Sequence, residues 1–214
     1  MIQEQIFNDV GYDPDIINAI SSVPREIFLP ENLHPIAYSD RDFFPYIPSI
    51  KNTAIFCFYI RKYTEENLKI LENINNIAIM SCSKGYLLHV LAHLKLNSIG
   101  ITESPDDINR GIEILEIIKN NNLKSESIYK NIKISFSNKL QQKPYSIIVY
   151  QNPIMSGYEE KTVDDIIIRN LIDNRGICIY ILYEKNIGKI ISSTKNGTNI
   201  TKEVIKSFAI CNKI

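Results

Sequence analysis

The stretch from Asn76 to Glu103, NIAIMSCSKGYLLHVLAHLKLNSIGITE, constrains the chain most. An apolar β-type run, Ile77 to Met80, meets a turn of small and polar residues that ends in Lys84-Gly85. Leu87, Leu88, Val90, Leu91 and Leu94 then recur at helical spacing, and a second β-type run, Ser98 to Thr102, closes on the acid Glu103. A strand, a turn, a helix, a strand and an acid in that order is how open α/β sheets hold a nucleoside. The turn sits under the ligand and the acid grips ribose hydroxyls.

The remainder of the chain predicts a sheet around this unit. Asp13-Pro14 caps and opens a first helix, with Ile16, Ile17, Ile20 and Val23 as its apolar stripe until Pro24. From Val23 to Pro48 the prolines at 24, 30, 35, 45 and 48 forbid a regular helix or central strand, so this segment is expected to be irregular and packed on the body. Thr53 to Tyr63 reads as a buried helix continued by Thr64 to Ile70. Ser104-Pro105-Asp106-Asp107 starts a helix that Asn120 to Asn122 ends. Strands are expected at Ile132 to Phe136, Ser146 to Tyr150 and Ile177 to Tyr183, with a helix over Glu159 to Ile172 stopped by Asn174-Arg175-Gly176. Gly188 to Thr194 and Thr198 to Ala209 alternate around Asn196-Gly197, a hairpin signal. The order predicts an α/β fold: a doubly wound, mostly parallel sheet with an antiparallel C-terminal hairpin. One domain over 1–214 is expected, with 1–70 a helical and proline-rich cap and 71–214 the core.

Twenty-four basic side chains balance 24 acidic ones, which argues against a nucleic-acid surface. No apolar run approaches the ~18 residues of a membrane helix, and no signal-peptide pattern opens the chain, so a soluble, cytoplasmic protein is expected. Cys57, Cys82, Cys178 and Cys211 lie far apart and read as reduced core thiols. His89 and His93 are spaced four apart as metal ligands often are, but no third ligand accompanies them and no metal is assigned.

Val23-Pro24-Arg25-Glu26-Ile27-Phe28-Leu29-Pro30 followed by Ala37-Tyr38-Ser39-Asp40 resembles the protein-L-isoaspartate O-methyltransferase family, a branch of the Rossmann-like S-adenosylmethionine methyltransferases. Lys143-Pro144-Tyr145-Ser146-Ile147-Ile148 and the hairpin extend the likeness, from about residue 5 to about residue 209. The resemblance implies a cofactor, S-adenosyl-L-methionine, a carboxylate acceptor on isoaspartyl residues of damaged proteins, and Ser81, Ser83, Gly85, Tyr86 and Glu103 as cofactor-binding residues. It places Asn52, Thr53 and Asp40 at the acceptor end, with Asn52 where the family has its active-site serine. Arg25 and Glu26 are expected to anchor the proline-rich segment.

The chain departs from the family's pattern at the site. Where the family reads Glu-x-Gly-x-Gly-x-Gly-Tyr, residues 79–86 are Ile, Met, Ser, Cys, Ser, Lys, Gly and Tyr, and its Gly-Asp-Gly turn falls near Phe136-Ser137-Asn138, without an acid. Serine tolerates the two glycine positions if the backbone φ is negative there; a positive φ costs on the order of 1 kcal/mol or more. A catalytically inactive binding or scaffold module is therefore the alternative function. A dinucleotide-binding oxidoreductase shares the β-turn-α-β-acid layout and nothing else.

Overall fold

The central strands are short apolar runs that bury both faces, which suits a parallel sheet covered by helices. The structure is a computed structural model that describes residues 13–67, 76–121, 133–140, 144–172, 175–185 and 187–209. Helix α1 (Pro14–Ser22) is capped by the Asp13 carboxylate, which accepts from the Asp15 and Ile16 amides at 3.0 and 3.2 Å. Two short 3-10 turns follow, Arg25–Phe28 and Glu31–Ile36, and then α2 (Ile50–Asn67). The core continues as β1 (Ile77–Met80), α3 (Tyr86–His93), β2 (Ser98–Ile101), α4 (Pro105–Asn121), β3 (Ile134–Ser137), β4 (Ile147–Tyr150), β5 (Ile154–Met155), α5 (Tyr158–Asn170), β6 (Ile177–Glu184), β7 (Ile187–Asn196) and β8 (Asn199–Ala209).

The sheet runs β3-β2-β1-β4-β6-β7-β8, with the short β5 added to β6 beyond the end of β4. Strands β1, β2, β3, β4 and β6 are parallel, whereas β7 and β8 return antiparallel. Because strand side chains alternate, each central strand supplies both layers. Ile77, Ile79, Ile147, Val149, Ile179 and Ile181 pack with α1, α2 and α3, while Ala78, Ile148, Cys178 and Tyr180 pack with Val163 and Ile167 of α5.

The proline-rich segment is held as expected, by Arg25. This side chain is wholly buried: Nε donates to the Ala37 carbonyl at 2.7 Å, one Nη to the Pro48 carbonyl at 3.0 Å and the other to the Tyr86 hydroxyl at 3.3 Å. Glu26 accepts from the Tyr38 hydroxyl at 2.6 Å, and partial burial, then this bond, push that phenol up to about 12.

Three sequence expectations are corrected. Helix α5 ends at Asn170 with Leu171 as an extended C-cap, so Gly176 directly precedes β6 instead of capping the helix. Asn196 pairs with Asn199 within the ladder, so the hairpin loop is Gly197-Thr198, with Gly197 supplying the positive φ of 63°. The strand expected from Ile132 begins at Ile134 among the described residues. Cys57, Cys82 and Cys178 are buried free thiols; Cys211, the residues of the cap before Asp13 and the start of the resemblance lie outside the described residues.

Candidate active site

The chain builds β2 and β3 outward on one side of β1, then crosses to β4 on the other side. A crevice opens at the C-terminal ends of strands where the winding reverses in this way. Backbone bonds carry the ladder past the strand ends: Cys82 N–H to the Ile101 carbonyl at 3.2 Å, Thr102 N–H to Ser137 at 3.1 Å and Gln151 N–H to Met80 at 3.1 Å. Each segment that leaves the sheet here thus has a fixed direction.

The crevice is a cavity of about 560 Å³. That lies within the range of about 300–1,000 Å³ usual for small-molecule sites. Its floor is the turn after β1, with Ser81 and Ser83; Glu103 stands on the wall after β2, Asn138 and Leu140 after β3, and Asn152 after β4. Glu103 is exposed, and Ser104 beside it caps α4 by accepting from the Asp107 amide at 3.2 Å.

The turn settles the question of dihedral sign. Ser81 and Ser83 have φ of 52° and 45°, and Gly85 has φ of 92°. The backbone therefore takes the left-handed path that glycine favours, with serines on two of its three positive-φ positions. Gly85 has a second constraint: a Cβ there would lie 2.7 Å from Phe136 Cζ, and Gly100 and Gly111 border the same ring. Cys82, buried against Gly100, has its thiol pushed up to about 12 by desolvation.

The eight sequence-nominated residues fall into separate places. Ser81, Ser83 and Glu103 face the cavity. Gly85 packs on Phe136 behind the turn, and Tyr86 is wholly buried, its ring edge-on to Phe28 with centroids 5.4 Å apart and the Arg25 guanidinium 5.1 Å from its centroid. Asn52 and Thr53 lie in the first turn of α2, where the Thr53 hydroxyl donates to the Ser49 carbonyl at 2.7 Å. Asp40 pairs with the Lys51 ammonium at 3.2 Å and accepts from the Lys51 amide at 3.2 Å.

Sequence reasoning missed Asp42 and Gln151. Asn52 Nδ2 donates to both carboxylate oxygens of Asp42, at 2.9 and 3.1 Å, and the Ser49 amide donates to Oδ1 at 2.6 Å. Burial pushes the Asp42 carboxyl above its ordinary range; these hydrogen bonds act the other way and do not fully offset it. Gln151, which is wholly buried where Asp42 is half-buried, donates through Nε2 to the Tyr46 carbonyl at 3.0 Å. The available signal for Asp42 was an acid two residues after Asp40 in an irregular segment, which names no partner.

Relatives of known name fit this architecture. The chain is 28% identical over 103 residues to the protein-L-isoaspartate O-methyltransferase of Methanoculleus marisnigri, covering 48% of this chain and 44% of that protein. It is 30% identical over 94 residues to the enzyme of the same name from Rhodopseudomonas palustris, covering 44% and 41%. The match spans less than half the length of either curated relative. No family model matches the sequence. Among solved structures, the chain is similar to a Plasmodium falciparum protein described as a protein-L-isoaspartate O-methyltransferase in complex with S-adenosyl-L-homocysteine, with a TM-score of 0.62, 18% identity, and coverage of 98% of this chain and 94% of that one. A second structure of the same name gives a TM-score of 0.57 at 13% identity, covering 100% and 66%. The fold is the Rossmann-like methyltransferase fold, as the sequence resemblance implied.

Proposed function

We propose, from the premise that this chain carries a methyltransferase fold with its cofactor crevice open, that it binds S-adenosyl-L-methionine and methylates the carboxylate of isoaspartyl residues in damaged proteins. The observation that carries this reading is the cavity of about 560 Å³ at the winding reversal, with the Glu103 carboxylate on its wall and a left-handed turn on its floor. The donor set fits the cofactor: a carboxylate at the end of β2 accepts from ribose hydroxyls, and a turn that keeps glycine-like dihedrals brings backbone close to the ligand. Bound there, S-adenosylmethionine supplies an activated methyl group for in-line transfer to an ionised carboxylate, so no general base is needed. The chain's part is positioning, which by itself is worth up to ~7 to 11 kcal/mol.

In this reading Ser81, Ser83 and Glu103 hold the cofactor, and Gly85 and Tyr86 keep the turn in shape. Asn52 marks the acceptor end, while Thr53 and Asp40 brace the start of α2. Residues 1–70 form the cap of a single domain, and the substrate is a protein or peptide met in the cytoplasm. Of the described residues, no helix is long and apolar enough to cross a membrane. A second reading, a binding module without catalysis, is favoured by the serines on the strained turn and by the engagement of Asn52 with Asp42.

Calorimetric titration with S-adenosylhomocysteine tests the proposal. Saturable binding is expected, weakened by about 1 to 3 kcal/mol in Glu103→Ala, the scale of a charged hydrogen bond. No heat and no thermal stabilisation at millimolar ligand would remove the methyltransferase reading and leave the binding module.

A further inference from the structure

We propose that Asp42 is an internal stand-in for the acceptor carboxylate: it occupies the hydrogen-bond donors at the start of α2 that a substrate carboxylate would need. The inference rests on the methyltransferase reading of the cleft and concerns the regulation of that same site.

A carboxylate is recognised by converging N–H donors. At the start of α2 the Lys51 amide and ammonium are engaged by Asp40, while the Ser49 amide and the Asn52 side chain converge on Asp42, at 2.6, 2.9 and 3.1 Å. Ser49 and Asn52 are only 6% and 7% exposed, so little of either is open to an incoming carboxylate while Asp42 is in place. Among the described residues no cation pairs with Asp42; the neighbouring ammonium of Lys51 is taken by Asp40. A second carboxylate therefore meets an unneutralised like charge as well as occupied donors.

Asp42 is also held where it can compete. It begins a strap, residues 42–48, whose Pro45 lines the cofactor cavity. The Tyr46 carbonyl of the strap accepts from Gln151 at the end of β4, and the Tyr46 ring lies 5.4 Å from the Lys84 ammonium on the cofactor turn. The Pro48 carbonyl is fixed by Arg25. The strap thus joins the cofactor turn, the end of β4 and the start of α2, and it carries its own carboxylate to the acceptor end. A substrate carboxylate has to displace Asp42 before it can be seated.

The test uses the full chain as wild type, Asp42→Asn and Asp42→Ser, each checked by thermal melting. Each is titrated with S-adenosylhomocysteine, with a short isoaspartyl peptide, and with the same peptide carrying an amide in place of the isoaspartyl carboxylate. Peptide titrations are run with and without S-adenosylhomocysteine. Both variants are expected to bind the acid peptide at least about tenfold more tightly than wild type. Their affinities for the amide peptide and for S-adenosylhomocysteine are expected to stay within about twofold of wild type, because neither ligand presents a carboxylate to this seat. Equal affinity of all three proteins for the acid peptide, including no binding by any, overturns the proposal. So does a parallel change on acid and amide peptides, which would make Asp42 a structural residue only. Absent S-adenosylhomocysteine binding counts against the cofactor reading alone, since the acid-to-amide comparison is also made without it.

Discussion

The Arg25 anchor and the Ser81–Gly85 turn both adjoin Tyr86, Arg25 through its ring and hydroxyl and the turn through the chain, and they treat their residues in opposite ways. At the anchor the donors are satisfied: a buried guanidinium bonds the Ala37 and Pro48 carbonyls and the Tyr86 hydroxyl. At the turn, serines hold positive φ angles of 52° and 45°, which an L-residue adopts at a cost. The anchor organises the fold, so its residues are the ones the fold can least do without. The turn keeps a shape that its own residues disfavour, which is what a binding surface looks like when neighbouring packing, here Phe136 against Gly85, dictates the path.

The largest effect that separates the two regions is at the anchor. Arg25→Ala removes the donors of two buried carbonyls, each worth about 1–3 kcal/mol when left unpaired. A loss of about 3 kcal/mol or more is expected by denaturant unfolding. A loss under about 1 kcal/mol would mean that water replaces the guanidinium, and the contrast with the turn would disappear.

At the turn the expected signs divide. Gly85→Ala places a Cβ 2.7 Å from Phe136 at a φ of 92°, and both count against it. A destabilisation of about 1–3 kcal/mol follows from strain of this kind. Ser81→Gly and Ser83→Gly should go the other way: relief of about 1–2 kcal/mol of left-handed strain, set against about 0.4–1 kcal/mol of added chain entropy in the unfolded state, leaves a net gain of up to about 1.6 kcal/mol. Chemical denaturation of the three single variants reads this directly. Destabilisation by both serine replacements would show that their side chains stabilise the turn through contacts that outweigh the backbone.

Legibility in the sequence followed the same division. The β1 run, the Asp13-Pro14 helix start and the role of Arg25 were readable because local periodicity, capping chemistry and proline placement determine them. The cleft-facing acid Glu103 was readable because strand-turn-helix-strand order fixes where the second strand ends. The sign of φ at Ser81 and Ser83 was not, since the same residues are acceptable or strained according to a dihedral that tertiary packing imposes. Asp42 was not readable either: its meeting with Asn52, ten positions on, depends on how an irregular segment folds back over the start of α2. The two-residue β5 escaped because it has too few residues for any period to show.

The smallest expected effect asks which force governs Asp42, the acid that joins the irregular segment to Ser49 and Asn52. Burial raises its carboxyl above the ordinary value of 3.8, and the bonds from Ser49 and Asn52 lower it by less. A carboxyl with a raised value keeps its proton in the folded state after the unfolded chain has released it. Over that window the folded state binds more protons, so stability falls as pH rises through it, starting near 3.8. Asp42→Asn removes this one dependence and leaves the other carboxylates in place. The stability of wild type minus that of the variant should therefore decrease as pH climbs from below 3.8 and then level off, measured by urea unfolding at a series of acid pH values. A difference that grows with pH over the same range would mean that the donors at the start of α2 outweigh burial and hold Asp42 as a stabilised anion. That outcome would strengthen the stand-in's grip on the acceptor end and would make the strap resemble the Arg25 anchor more than the turn.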